Sequence, residues 1–298
     1  MNTDQFVKNP VIKSLRQAAT VLLLRDGPTG IEVLMVHRHA EMHFGDAWVF
    51  PGGTIDDIDC DYISTSLEED YSRCEARLAN GNAPATSREI ALGLHVAACR
   101  EVFEETGLLL VFGDTEKIAR IRAQRAEIAS RVGAFAEAIA REQLQLNLDR
   151  LTYWSHWITP ASSPKRFDTR FFAARAPVNQ DVLADASESS EFVWIAPAAM
   201  IAERTTTKAV ILPPTLLTLM DLARCATRYQ DVEAMLTGEA HRRAIAIMPK
   251  LHREGGEIIT IYPWDPEYDR MLDEGISTRD LPAHLQGLPS RLVLRRHD

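Results

Sequence analysis

Residues 100–108 read Arg-Glu-Val-Phe-Glu-Glu-Thr-Gly-Leu and carry the strongest functional signal in the chain. On a helix, Glu101, Glu104 and Glu105 stand at positions i, i+3 and i+4, so their carboxylates share one face. Two such charges ~6 Å apart repel by roughly 3 kcal/mol at an effective dielectric of ~20. A hard divalent cation relieves that repulsion, because it prefers oxygen ligands. The pattern therefore predicts a metal site, and a solvated acidic helix face is the alternative.

The flanking residues predict how this helix begins, ends and meets the rest of the chain. Thr86 and Glu89 have the spacing of a capping box, and Gly107 is a typical helix stop. Arg100 directly precedes the carboxylates, so we expect it to pair with one of them and orient it. Upstream, residues 51–53 read Pro-Gly-Gly and require a sharp turn of the backbone.

Composition excludes several classes of protein. The chain has 298 residues, of which 46 % are apolar and 25 % charged, and these values exclude a disordered chain, a collagen and a coiled-coil rod. The net charge of −9 disfavours nucleic acid and anionic membranes as partners. No apolar run reaches the ~20 residues of a membrane span, and neither a signal peptide nor a CxxC pair is present. We therefore expect a cytoplasmic protein that acts on a small molecule.

Hydrophobic periodicity predicts strands alternating with helices. The predicted strands are 16–24 and 31–36, which form a hairpin, then 108–112, 152–159, 169–174 and 191–195. The predicted helices are one ending at Thr106, two within 115–149, and others at 197–203, 213–226 and 231–247.

The turn and the acidic stretch together resemble the Nudix box of Nudix hydrolases. That box reads Gly, five residues, Glu, seven residues, then Arg-Glu-apolar-x-Glu-Glu-x-Gly-apolar. Gly53 matches the first Gly, and residues 100–108 match the second half. The early Glu falls on Asp59, which would support the helix, and 40 residues rather than seven separate it from Arg100. Such a longer loop costs only about 1.5 kcal/mol of closure entropy, so a split box can still fold.

The split box is similar to the Nudix branch that includes the peroxisomal coenzyme A diphosphatase and its bacterial relatives. Segments 157–160, 166–172 and 263–268 resemble that branch as well. The resemblance implies an α/β/α sandwich with a mixed sheet, as a single elaborated domain over residues 1–298. Its core would comprise 16–59, 87–112 and 150–204, with an insertion at 60–86, a helical insertion at 113–149 and a helical C-terminal extension at 205–298.

The resemblance also implies a metal centre. Glu101, Glu104 and Glu105, together with the carbonyl of Gly53, would hold Mg²⁺ or Mn²⁺. Arg100 would belong to the same catalytic group.

Arginines are the candidate phosphate ligands, because a guanidinium binds phosphate through two parallel hydrogen bonds. The candidates are Arg38, Arg166 and Arg170, and a surface salt bridge is the alternative for Arg166 and Arg170. The general base would be a helix carboxylate or an acidic residue of a later loop, either Glu188 or Glu191. A solvated loop carboxylate is the alternative for these two.

The implied function is a divalent-metal-dependent pyrophosphohydrolase that cleaves a nucleoside diphosphate linked to another moiety. Coenzyme A and its acyl derivatives are the candidate substrates, and a homodimer is the expected assembly. A Nudix-fold module that binds a nucleotide-like ligand without cleaving it is the alternative function. The complete set of carboxylates argues against that alternative, because a binding module has no need for mutually repelling charges.

Overall fold

The structure is a computed structural model that describes residues 15–38, 47–62, 67–79, 86–183, 189–206, 209–239, 242–271, 274–278 and 280–294. Its strands are β1 (Arg16–Gly27), β2 (Gly30–Arg38), β3 (Ala47–Val49), β4 (Gly52–Thr54), β5 (Val111–Phe112), β6 (Gln145–Leu146), β7 (Thr152–Ile158), β8 (Phe167–Arg175), β9 (Ser189–Ile195), β10 (Val210–Ile211), β11 (Ala246–Ile247), β12 (Lys250–Glu254), β13 (Glu257–Ile261) and β14 (Arg291–Leu294). Its α-helices are α1 (Asp57–Cys60), α2 (Leu67–Leu78), α3 (Arg88–Thr106), α4 (Thr115–Ala123), α5 (Arg125–Ala129), α6 (Ala134–Arg141), α7 (Pro197–Thr206), α8 (Pro213–Ala226) and α9 (Val232–Glu239).

Nine of the described strands form one mixed sheet. Its order is β10-β3-β2-β1-β8-β7-β11, with β4 paired to β1 and β9 paired to β2. β1 and β2 form a hairpin closed at Gly27 and Gly30, and β8 lies parallel to β1 on its other side. Beyond the hairpin, β4 pairs with the first half of β1 and β3 with the last residues of β2. The Pro-Gly-Gly turn between β3 and β4 is thereby inserted between two central strands.

Side-chain alternation along β1 gives this sheet two apolar faces. Val21 and Leu23 pack in the cluster that contains α3, whereas Leu22 and Leu24 pack in the cluster that contains α8. Because successive strand residues point to opposite faces, an uninterrupted apolar strand indicates a sheet covered on both sides. The helices on its two faces confirm the expected α/β/α sandwich with a mixed sheet.

The C-terminal extension is helical only in its first part. α9 ends at Glu239, and the residues predicted to continue a helix to 247 instead form β11, which pairs with β7 at the edge of the main sheet. Further on, β12, β13 and β14 form a separate three-stranded antiparallel sheet. Residues 258–261 read Ile-Ile-Thr-Ile, and β-branched side chains favour strands. Gly255 and Gly256, at φ 59° and 88°, close the β12–β13 hairpin.

The region between β5 and β7 contains three helices where two were predicted. Gly133, at φ 82°, is the N-cap of α6 and separates it from α5. The insertion within the split box contains α2. Among the described helices, none combines the length and the apolar character needed to cross a bilayer.

His95 is a buried, neutral residue in the middle of α3. Its ring packs on Phe172 with centroids 4.7 Å apart, and its Nδ1–H donates to the Ala91 carbonyl at 2.7 Å. Nε2 is buried and has no hydrogen-bond partner in the described part of the chain. Burial lowers the pKa of His95 to about 3, so the ring stays neutral in the folded protein.

We expect His95→Phe to make the protein less sensitive to acid. Below the ordinary pKa of 6.5, the unfolded chain binds a proton at His95 that the folded protein does not bind, so acid favours unfolding. This contribution reaches about 2 kcal/mol at pH 5, and phenylalanine removes it while keeping the ring contact. Urea unfolding at pH 7 and pH 5 measures the difference. Equal losses of stability in both proteins between these pH values would contradict the assignment.

Candidate active site

Helix α3 carries all three carboxylates in its last two turns. Ser87 is its N-cap, because the Ser87 side chain accepts a hydrogen bond from the helix backbone. Thr86, which was expected to act in the cap, instead accepts a hydrogen bond from Arg170. Gly107 ends the helix at φ 71°, a left-handed conformation that favours glycine.

Arg100 lies between the carboxylates, as expected, and pairs with two of them. Its Nη1 donates to Glu101 Oε1 and to Glu104 Oε2, both at 2.9 Å. Its Nη2 donates to the Thr54 carbonyl at 2.9 Å, and its Nε donates to Asp59 Oδ1 at 3.0 Å. One buried guanidinium thus joins α3 to β4 and to α1.

Asp59 is the buried partner that holds Arg100 in place. Its Oδ2 accepts from Arg100 Nη2 at 2.9 Å and from the Asp56 amide at 2.8 Å. The Asp59 side chain is only 3 % exposed, so this carboxylate depends on its partners. Its contacts connect the two halves of the split box and agree with a supporting role.

The amide and carbonyl of Gly52, and not those of Gly53, point from β4 toward the carboxylates. The hydrogen bonds on either side show that Gly53 forms a hydrogen-bonded pair with Ala19, which directs its carbonyl toward β1. The Gly52 amide donates to Glu105 Oε2 at 3.1 Å, and its carbonyl accepts from Arg38 at 3.2 Å. The carbonyl expected as a metal ligand is therefore engaged in the sheet. Its neighbour faces the cluster, because pairing alternates along an antiparallel strand.

Gly53 instead allows β4 to approach α3 closely. A Cβ at this position would overlap the carboxylate of Glu101. We expect Gly53→Ala to displace Glu101 and to destabilise the protein by about 1–3 kcal/mol, as measured by urea unfolding. The double variant Gly53→Ala/Glu101→Asp has a shorter carboxylate, so part of the stability should return. An unchanged stability in the single variant would contradict this close approach.

Of the three arginines predicted to bind phosphate, the structure brings Arg38 to the cluster. Arg38 ends β2, and its Nη2 lies 3.7 Å from Glu105 Oε1. Its Nε is buried and finds no acceptor among the residues that the structure describes. Arg38 is thus the predicted phosphate ligand that lies beside the carboxylates.

The other two arginines are buried at different places. Arg166 donates to the Thr159 carbonyl at 3.3 Å. Arg170 forms an ion pair with Asp168 and donates to Thr86 Oγ1 at 3.2 Å. These contacts are structural and do not include the carboxylates of α3. Phosphate binding by Arg166 and Arg170 stays a prediction that their contacts do not support.

Glu188 and Glu191 are the two acidic residues outside α3 that were predicted as candidates for the general base. Glu188 lies outside the described residues. Glu191 shares a face of β9 with Val193, which packs against the cluster that contains α8, so Glu191 points away from α3. Glu191 lines a cavity of about 590 Å³, whose other described lining residues are Trp48, Phe192, Val193, Ile195, Met200, Glu203 and Ala209.

Burial and mutual repulsion raise the pKa values of the three helix carboxyl groups. Burial is the larger cause, and it raises the pKa of Glu104 to about 7 and that of Glu105 to about 8. The pKa of Glu101 is raised for the same reason. Arg100 opposes the shift at Glu101 and Glu104, and Arg38 opposes it at Glu105. The arginines thus compensate the negative charge only in part.

The donor set of this site fits a hard divalent cation. It consists of three carboxylates and the Gly52 carbonyl, all of them oxygen ligands. Across the described ranges, no three His, Cys, Asp or Glu side chains are already arranged around a cation position. In this structure Arg100 pairs with Glu104, and Arg38 lies near Glu105.

Known proteins are similar to this chain in sequence and in fold. A family model described as NUDT19 Nudix domain matches residues 15–224. Acyl-coenzyme A diphosphatase NUDT19 of Xenopus laevis is 26 % identical, in an alignment that covers 79 % of this chain and 72 % of that protein. The protein of the same name from Gallus gallus is 24 % identical, with 87 % and 83 % covered.

A solved structure leads to the same family. The crystal structure of a NUDIX hydrolase from Alicyclobacillus acidocaldarius aligns with a TM-score of 0.58 at 25 % identity, over 76 % of this chain and 97 % of that one. The family match spans both halves of the split box, which Arg100 and Asp59 join in the structure. The chain therefore belongs to the Nudix hydrolase family, in the group described by the NUDT19 Nudix domain.

Proposed function

We propose that this protein is a divalent-metal-dependent pyrophosphohydrolase that cleaves a nucleoside diphosphate linked to another moiety. One observation carries the proposal: the carboxylates of Glu101, Glu104 and Glu105 lie together at the end of α3, facing the Gly52 backbone and Arg38. Acidic groups so close to one another suit a bound cation, and an arginine beside them suits a phosphate.

The metal ligands would be the three helix carboxylates and the Gly52 carbonyl. When bound, Mg²⁺ or Mn²⁺ would neutralise the diphosphate and lower the pKa of a water molecule. Arg100 would keep its bonds to Asp59 and to the Thr54 carbonyl, and so would hold α3 against β4. Glu101 and Glu104 would exchange their bonds to Arg100 for the cation.

The remaining chemistry needs a proton acceptor and a phosphate ligand. Water attacks one phosphorus in line, and its proton passes to a carboxylate. The bond from that phosphorus to the bridging oxygen breaks, which leaves two phosphate-bearing products. The proton acceptor would be a carboxylate of α3 or Glu188, since Glu191 faces the other side of the sheet. Arg38, which lies beside Glu105, would bind the phosphate.

Coenzyme A and its acyl derivatives are the substrates that we propose. The two relatives named acyl-coenzyme A diphosphatase support this choice.

A substrate panel tests the proposal. The purified protein is incubated with Mn²⁺ or Mg²⁺ and with coenzyme A, acyl-coenzyme A, ADP-ribose, NADH or dinucleoside polyphosphates, and the products are separated by chromatography. We expect two phosphate-bearing products from coenzyme A or its acyl derivatives, and none when the cations are removed with EDTA. Absence of cleavage across the whole panel would contradict hydrolysis.

A binding module without hydrolysis is the second candidate. It is favoured by one observation, namely that Arg100 and Arg38 already pair with the carboxylates. Calorimetric binding of coenzyme A without any product would support this candidate. A homodimer and a cytoplasmic location stay predictions, and light scattering tests the first of them.

A further inference from the structure

The helical insertion supplies two arginines to the C-terminal end of α3. Arg125, the first residue of α5, donates to the Glu104 carbonyl through Nε at 2.9 Å and through Nη2 at 2.7 Å. Its Nη1 donates to the Leu183 carbonyl at 2.9 Å. Arg122, on α4, donates through Nε to the Gly107 carbonyl at 2.8 Å. Both arginines therefore reach backbone that belongs to the end of the box helix.

These bonds satisfy carbonyls that the helix itself cannot. The last four carbonyls of an α-helix have no intrahelical donor, and the final turn frays when they are left without partners. Here Arg125 caps Glu104, the Leu183 amide caps Thr106 at 2.9 Å, and Arg122 caps Gly107. Cations at this end are also favoured by the helix dipole. The insertion thus orders the turn that carries the carboxylates.

Arg125 differs from Arg122 in the peptide that it holds. Two donors of one planar guanidinium on the same oxygen restrain both the position and the direction of that carbonyl. The carbonyl belongs to Glu104 itself, whereas Gly107 lies beyond the last carboxylate. Arg125 is only 6 % exposed, so water has little access to these bonds.

We propose that Arg125 is a positioning residue for the carboxylate of Glu104, an inference that rests on the proposed hydrolytic function. Arg125 fixes the Glu104 peptide, whereas the side chain accepts from Arg100 Nη1 at 2.9 Å, a bond that it would exchange for the cation. The third bond of Arg125, from Nη1, attaches the Leu183 carbonyl to the same guanidinium group. A catalytic group misplaced by about 1 Å can lower the rate about 10²-fold, so a restraint on this peptide matters for turnover.

The test compares Arg125→Met with Arg122→Met, which removes a matched guanidinium from the same insertion. We expect Arg125→Met to lower kcat by about 10- to 100-fold, with KM changed by less than about threefold. It should also weaken Mn²⁺ binding, measured by calorimetry, and speed hydrogen exchange of amides 103–107. Arg122→Met should leave kcat and Mn²⁺ affinity within about twofold of the unmodified protein.

Arg125→Lys provides the conservative variant. Its ammonium group can keep one bond to the Glu104 carbonyl but not the fork, so kcat and Mn²⁺ affinity should be intermediate. This variant also decides the matter if Arg125→Met does not fold. Values of kcat, Mn²⁺ affinity and exchange equal to those of the unmodified protein in Arg125→Lys and Arg125→Met would overturn the proposal. Equal losses in Arg125→Met and Arg122→Met would overturn it as well.

A failure of the positioning role of Arg125 can be distinguished from a failure of the proposed hydrolytic function. If the unmodified protein cleaves no substrate, the hydrolytic function fails, whereas Mn²⁺ affinity and amide exchange still compare the two arginines. Weaker Mn²⁺ binding and faster amide exchange in Arg125→Met, but not in Arg122→Met, would then support positioning of Glu104. Unchanged Mn²⁺ affinity and amide exchange in Arg125→Met would contradict this positioning role.

Discussion

Replacing Glu105 by glutamine is expected to lower kcat by about 10²- to 10⁴-fold while the protein stays folded. The substitution keeps the size of the side chain and removes one negative charge, which in the proposed mechanism would serve as a metal ligand or proton acceptor. The side-chain oxygen of glutamine can still accept from the Gly52 amide, a bond of 3.1 Å in this structure. Steady-state kinetics with Mn²⁺ measure the change, and Glu104→Gln should behave in the same way.

The stability of Glu105→Gln should be equal to or above that of the unmodified protein. Burial raises the pKa of Glu105 to about 8, so the fold disfavours the charge that glutamine lacks. Glu89→Gln is the matched control, because Glu89 lies exposed on the first turn of the same helix and pairs with Arg88. We expect full activity in that variant. Full activity in both Glu104→Gln and Glu105→Gln would refute the active-site assignment.

Arg100→Met is expected to produce the largest loss of stability, about 3–5 kcal/mol of the free energy of unfolding. Arg100 is charged in the fold, because its bonds to Asp59 and the charges of Glu101 and Glu104 outweigh the effect of burial and raise its pKa. Methionine fills similar space but leaves Asp59 buried without its cation. Urea unfolding in the absence of divalent cations measures the loss.

Two comparisons make this prediction specific. Arg131→Met breaks an ion pair with Glu137 whose side chains are 59 % and 62 % exposed, and it should change stability much less, because water screens such pairs. The double variant Asp59→Asn/Arg100→Met should lose less stability than the two single variants lose in sum, since the amide carries no charge. A loss in Arg100→Met no larger than that in Arg131→Met would contradict the buried network.

Local sequence predicted the catalytic helix well. The spacing of Glu101, Glu104 and Glu105 placed them on one face, because helical periodicity depends only on neighbouring residues. Gly107 was recognised as the helix stop, whereas the N-cap was assigned to Thr86 and proved to be Ser87. Such a one-residue error arises because adjacent hydroxyl residues are equally good caps, and here Arg170, from another strand, binds one of them.

The sequence by itself determined the Nudix box, its split form and the common face of its carboxylates, since these follow from residue spacing along the chain. The α/β/α architecture was implied by the resemblance to the Nudix family that this box carries. Only the tertiary structure decided that Gly52 faces the carboxylates and that Arg38 joins them while Arg166 and Arg170 lie elsewhere. It also decided that Arg125 caps Glu104 from an insertion 21 residues away. These contacts join separate segments, so they depend on strand register and helix packing, which no single stretch of sequence specifies.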